Sequence, residues 1–62
     1  METEKNYLTI VEAAHFLSMS IAFLRAQVFK KRIPFYKIGR AIRFSKIELM
    51  DYLRERKQEP EG

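Results

Sequence analysis

Pro34 divides this chain. Its ring removes a backbone donor and pushes Ile33 towards an extended conformation, so a helix arriving from the amino side must stop before it. On the amino side of Pro34, apolar residues recur at three- and four-residue steps. On its carboxyl side, apolar and polar residues alternate around a single internal glycine, Gly39. The chain is therefore helical first, then a hairpin, then helical again.

The first helix announces itself in Leu8-Thr9-Ile10-Val11-Glu12. Thr9 is a helix-capping residue, and Glu12 stands where it can reach back to complete a capping box, with Leu8 packed over the first turn. The spacing predicts a helix to about Leu17, with Ile10, Ala13, Ala14 and Leu17 as its buried stripe. Ser18-Met19-Ser20 interrupts that pattern, and Ser20 caps a second helix expected over Ile21 to Lys31. Ile21, Leu24 and Val28 form its inward side. Two short helices joined by a three-residue turn make a helix-turn-helix unit, with small Ala14 at the close crossing.

Beyond Pro34, Phe35-Tyr36-Lys37-Ile38 and Ala41-Ile42-Arg43-Phe44 flank Gly39-Arg40. Glycine at the first central position predicts a two-residue type II′ turn. In that register Phe35 opposes Phe44, Tyr36 opposes Arg43, Lys37 opposes Ile42, and Ile38 opposes Ala41. Phe35, Ile42 and Phe44 then share the face packed on the helices. A third helix starts from Ser45, with Glu48 as the partner in a second capping box and Leu49, Tyr52 and Leu53 as its inward stripe.

The chain has 62 residues and no cysteine. A domain of that size buries only about 60% of the surface that its unfolded chain exposes. Without disulfides or thiolate metal sites, stability rests on capped elements packed on each other. The expected organisation is one domain over residues 7–56, between polar, frayed ends at 1–6 and 57–62. No apolar run approaches a membrane span and no leader pattern is visible, so the expected residence is cytoplasmic, in association with the nucleoid, with no membrane partner.

Charge is distributed unevenly. From Ala13 to Ile47 there are eight Lys or Arg and no Asp or Glu, and all eight acids lie outside that window. The net charge of +4 understates the field over the middle of the chain. Solvated surface charge explains any one lysine, but eight cations without a counter-acid point to a polyanionic partner.

In this order of parts the chain resembles the excisionase-like, MerR-related winged helix-turn-helix DNA-binding domains. The matching residues are Leu8-Thr9, Glu12-Ala13-Ala14, Leu17, Ser20, Leu24, Val28, Ile33-Pro34, Ile38-Gly39-Arg40, Arg43-Phe44, Leu49 and Leu53. The resemblance runs from Tyr7 to Leu53. It implies a mainly α fold with a small β-hairpin wing, in a bacterial, phage or mobile-element protein that binds double-stranded DNA. The second helix would enter the major groove and the hairpin would act as a wing. The chain departs from the family at Ser18, where glycine is frequent, at Gln27, where an apolar residue is usual, and at Ile21-Ala22-Phe23, where the groove-facing start is usually polar or basic.

The DNA-binding residues expected on this reading are Ser20, Ile21, Ala22, Arg25, Ala26, Gln27, Lys30, Lys37, Arg40 and Arg43. Arg25 suits guanine and Gln27 adenine, whereas Ala22 can touch only thymine methyls or sugars. The second helix has no acid in its first turn, so its amino end and Ser20 suit a phosphate. A four-residue hairpin is roughly 13 Å long, which carries Arg40 beyond the body of the domain, with Arg43 and Lys37 beside the backbone. Phe23 and Phe29 face away from Leu24; packing under the hairpin and contact with a partner are both open to them.

Enzyme chemistry is not expected. His15 is the one histidine, there is no phosphate-cradling glycine loop, and the carboxylates sit where helix capping and a solvated face account for them. No catalytic residue, metal or cofactor is called for. The expected role is an architectural excisionase-type factor that helps an integrase or recombinase, or a small transcriptional regulator. The expected protein is a monomer in isolation that assembles cooperatively on DNA. The competing class is a protein-interaction module that uses Ile21, Phe23 and Phe29, with weak or no DNA binding. RNA binding ranks behind both, for want of an exposed stacking sheet.

Overall fold

The computed structural model describes residues 6–58. In chain order these form strand β1 (Tyr7–Leu8), helices α1 (Ile10–Leu17) and α2 (Ile21–Phe29), strands β2 (Tyr36–Ile38) and β3 (Ala41–Ser45), and helix α3 (Lys46–Glu55). Three helices and a small antiparallel sheet make a mainly α, winged helix-turn-helix fold.

Local chemistry accounts for the helix ends. At Thr9 the capping box is complete: Glu12 N–H donates to Thr9 Oγ1 at 3.2 Å, and Thr9 N–H donates to Glu12 Oε1 at 2.9 Å. At the far end Ser18 turns left-handed, with φ 57°. Ser18 N–H then reaches His15 O at 3.1 Å and Met19 N–H reaches Ala14 O at 2.9 Å. This pair of bonds is a Schellman closure. Helix α2 begins at Ser20, whose Oγ accepts from Phe23 N–H at 3.0 Å. It closes by the same device: Lys31 has φ 57°, Lys31 N–H meets Val28 O at 3.0 Å, and Arg32 N–H meets Gln27 O at 2.9 Å. The helix thus ends at Phe29 rather than at Lys31, because the chain reverses before the proline is reached.

The core consists of Leu8, Ala13, Ala14, Leu17, Leu24, Ile33, Phe44, Leu49 and Tyr52, with Ile10, Phe16, Met19, Val28, Phe35 and Ile42 packed around it. Among the described residues no polar or charged residue is buried. Burial of Ala13 and Ala14 lets α1 pack closely on both α2 and β3. Two expected core positions lie further out. Ile21 is 39% exposed, since it opens α2 beside the exposed Ser18 and Ser20. Leu53 is 42% exposed. Helix α3 packs chiefly on β3, and the neighbouring Tyr52 is the residue of its last turn that enters the core.

The hairpin has the expected register, with Tyr36 opposite Arg43, Lys37 opposite Ile42, and Ile38 opposite Ala41. Phe35 precedes the strand and lies half-buried against the core. Gly39 has φ +63°, and Arg40 is not among the left-handed residues. That combination fits a type II′ turn and excludes type I′, which needs both central residues left-handed.

The sheet also has a strand at the amino end, beyond the two of the expected hairpin. Tyr7 and Leu8 pair antiparallel with Ser45 and Phe44, giving a three-stranded sheet in the order β1-β3-β2. Leu8, the expected cover for the first helical turn, is buried as a strand residue of that sheet. Asn6 continues the attachment, its carbonyl accepting from Lys46 N–H at 2.9 Å. Residues 1–5 and 59–62, which hold most of the two ends expected to fray, lie outside the described residues.

Candidate nucleic-acid interface

The interface starts at the amino end of α2. Ser20 supplies the cap and the first turn carries no acid, so the positive end of the helix is not neutralised there. Ile21, Ala22 and Phe23 occupy that turn and all three are exposed. One turn on, Arg25 is exposed, while Ala26 and Gln27 are half-buried. Lys30 stands exposed at the carboxyl end.

The wing supplies the other side. Arg40 follows Gly39 at the tip, and Lys37 projects from β2 opposite Ile42, both exposed. Arg43 is half-buried, and its Nη1 donates to the Ile42 carbonyl at 2.8 Å, which braces the guanidinium against its own strand. Between α2 and the wing runs a crevice of about 380 Å³ lined by Arg25, Arg40 and Arg43 over Thr9, Ile10, Val28, Ala41 and Ile42. Arginines from the helix and from the hairpin thus line one crevice over a largely apolar floor. The remaining expected residues, Ser20, Ile21, Ala22, Ala26, Gln27, Lys30 and Lys37, lie outside that lining.

The charges separate in space more finely than in sequence. Helix α3 carries ion pairs of its own, with Arg54 on Asp51 at 3.0 Å and Arg56 beside Glu55 at 3.9 Å. Exposed pairs of this kind contribute little to stability. Lys31 and Arg32 share a second crevice, of about 450 Å³, with Glu48, Asp51 and Glu55. These two cations belong to the acid-free stretch of sequence yet face carboxylates once the chain folds. Lys46 lies over the Phe16 ring at 5.5 Å. The crevice between α2 and the wing, by contrast, joins its cations with no acid in the lining.

In sequence, Thr9 and Ile10 mark only the start of a helix. Their place in the groove wall depends on how α1 packs against the wing, and no local sequence signal carries it. Phe29 is 87% exposed, which removes the reading in which it packs under the hairpin, and Phe23 is 48% exposed. Elsewhere on the sheet, Tyr36 O–H donates to Glu48 Oε2 at 2.9 Å. That bond, and the charge of the same carboxylate, raise the Tyr36 phenol above its usual range.

A family model described as "Helix-turn-helix domain" matches residues 7–57. The chain belongs to that family. It is the excisionase-like helix-turn-helix family, and this helix-turn-helix protein is accordingly a DNA-binding one, of a kind that typically carries no enzymatic activity. Neither a curated protein nor a solved structure gave a match to the helix-turn-helix chain. Among its described residues, no helix is long and apolar enough to cross a membrane.

Proposed function

We propose that this helix-turn-helix protein grips duplex DNA between α2 and the wing and acts architecturally, as an excisionase-type factor assisting a recombinase. The observation that carries the reading is the acid-free crevice lined by Arg25, Arg40 and Arg43. Three arginines drawn from a helix and a hairpin to one crevice suit the phosphates on either side of a groove, and the positive amino end of α2 adds to them. Arg25 faces the major groove and Arg40 enters the neighbouring minor groove or clamps its phosphates. Lys30 and Lys37 add contacts at the edges.

The exposed start of α2, Ile21-Ala22-Phe23, offers little for hydrogen-bonded reading of bases. Phosphate contacts position a protein on DNA without specifying sequence. A single copy therefore discriminates modestly, and specific occupancy comes from cooperation between copies or with a larger recombinase. Exposed Phe23 and Phe29 support that part of the reading. The same interface would serve a small transcriptional regulator whose specificity comes from assembly.

Fluorescence anisotropy on random and natural duplexes tests the proposal. Five cations, Arg25, Lys30, Lys37, Arg40 and Arg43, neutralising about five phosphates give a slope of log K against log salt near −4.5, falling by about 0.9 for each one removed. A flat salt dependence would refute DNA binding by this surface. An isolated copy that prefers its site to random DNA by more than about 10⁴ would refute the modest-specificity part.

A further inference from the structure

We infer that Tyr36 and Glu48 form a latch that sets the angle of the wing, making both positioning residues for the arginines carried by the hairpin. The inference rests on the reading that the wing contacts DNA. Its starting point is a departure from a local rule. In α1, Glu12 closes its capping box by turning back to the Thr9 N–H. In α3 the cap is Ser45, whose Oγ accepts from Glu48 N–H at 3.4 Å, so Glu48 holds the equivalent position. Yet its carboxylate crosses to the Tyr36 hydroxyl at 2.9 Å. No capping box closes at Ser45, and the Glu48 carboxylate is committed instead to a residue on the edge strand.

The location of the bond gives that job. Strand β2 lies at the edge of the sheet, three residues long and wholly exposed, with β3 as its strand neighbour. The Tyr36–Glu48 hydrogen bond ties this edge to α3 through side chains twelve positions apart in sequence. The Tyr7 ring meets the Tyr36 ring edge-on, centroids 5.9 Å apart and planes at 87°, so the phenol is held from β1 as well as from α3. Tyr36 pairs directly with Arg43 across the hairpin. A tilt of Tyr36 therefore moves the strand position that carries Arg43 and, at the tip beyond it, Arg40.

A bare electrostatic role for Glu48 predicts the opposite sign from a latch. As an acid on a DNA-binding domain it repels phosphate, so its removal should tighten binding. As an acceptor that holds the wing, its removal should loosen binding. Three variants separate the two. Tyr36→Phe removes the hydroxyl at no change in charge, Glu48→Ala removes the acceptor, and Glu48→Gln keeps an acceptor while removing the charge.

The experiment measures duplex affinity and its salt slope by anisotropy, with melting followed by circular dichroism. For Tyr36→Phe and Glu48→Ala we expect affinity to fall by about 3- to 10-fold, the scale of one exposed hydrogen bond, with a shallower salt slope. Glu48→Gln should bind at least as tightly as the unmodified protein. In an Arg40→Ala, Arg43→Ala background, Tyr36→Phe should have no further effect. Unchanged affinity in Tyr36→Phe, tighter binding in Glu48→Ala, or full additivity with the arginine changes would each overturn the latch. Residual dipolar couplings of β2 and β3 against the helices provide a DNA-independent reading, and no reorientation in Tyr36→Phe also overturns it. The two readings fail separately. An Arg40→Ala, Arg43→Ala protein that binds as before removes the wing from the DNA contact, while the couplings still decide the latch.

Discussion

Ser18 and Lys31 adopt the same left-handed backbone, φ 57° at each, and each closes one helix of the helix-turn-helix. Left-handed conformations cost most L-residues roughly 1–2 kcal/mol; glycine escapes that cost, and asparagine tolerates the conformation better than other residues do. Both positions thus carry strain that a single substitution relieves.

Ser18→Gly should therefore stabilise the domain by about 0.5–1 kcal/mol, part of the relief being offset by the greater freedom of glycine in the unfolded chain. In a domain this small that raises the melting temperature by several degrees. Lys31→Gly should do the same while removing a charge that faces carboxylates. Thermal denaturation checks both, and a lower melting temperature in both would mean that neither turn is left-handed.

Gly39 offers a contrast. Its φ is +63°, but a Cβ placed there meets nothing within 4 Å. Substitution costs backbone strain alone, with no steric clash. Gly39→Ala should destabilise by about 1–2 kcal/mol and Gly39→Val by more, because a β-branched residue resists positive φ hardest. Gly39→Asn should cost least. Equal melting temperatures for the Val and Asn variants would contradict the type II′ turn.

Two phenylalanines separate core from surface. Phe44 is 0% exposed and Phe29 is 87% exposed. Phe44→Ala should cost about 3–5 kcal/mol, enough to unfold most of a domain this small. Phe29→Ser should change stability by no more than about 0.5 kcal/mol. Chemical denaturation of the two variants tests the packing directly, and a large loss in Phe29→Ser would place that ring in the core.

The Tyr36 phenol is raised above 10.0 by its hydrogen bond to Glu48 and then by that carboxylate's charge. The folded protein holds this proton more tightly than the unfolded chain does. The stabilisation is thus complete below about pH 10 and fades as pH climbs through the folded value. In a spectrophotometric titration of the three tyrosines, Glu48→Gln should move one ionisation to lower pH. If Tyr36→Phe does not abolish that phase, the ionisation belongs to another tyrosine.

Most of the fold is legible in the sequence because its signals are local. Thr9 with Glu12, Ser20, Gly39 between alternating strands, and Ser45 each declare a boundary within four residues. The hairpin register follows from the turn alone. Strand β1 is not legible, because two residues show no period and their partners lie far along the chain. Ile21 and Leu53 fall at apolar-stripe positions of their helices, yet both stay exposed once the chain folds. The charges mislead in a similar way. Lys31 and Arg32 belong to an acid-free stretch of sequence, but folding sets them facing α3 carboxylates. Arg25, Arg40 and Arg43 are each recognisable as cations of the helix or the wing, and their meeting in one crevice depends on how α2 packs beside the hairpin.

The pairing of Tyr7 with Ser45 also governs when the domain can form. Closing a loop that spans most of the chain costs entropy before it returns any contact. Helices α1 and α2 carry their own capping signals, whereas β1 acquires its partner only once β3 has been made. On a ribosome β1 emerges long before β3 and must wait, unpaired, until Ser45 has cleared the exit tunnel. A chain that has not yet presented Ser45 therefore cannot complete the three-stranded sheet.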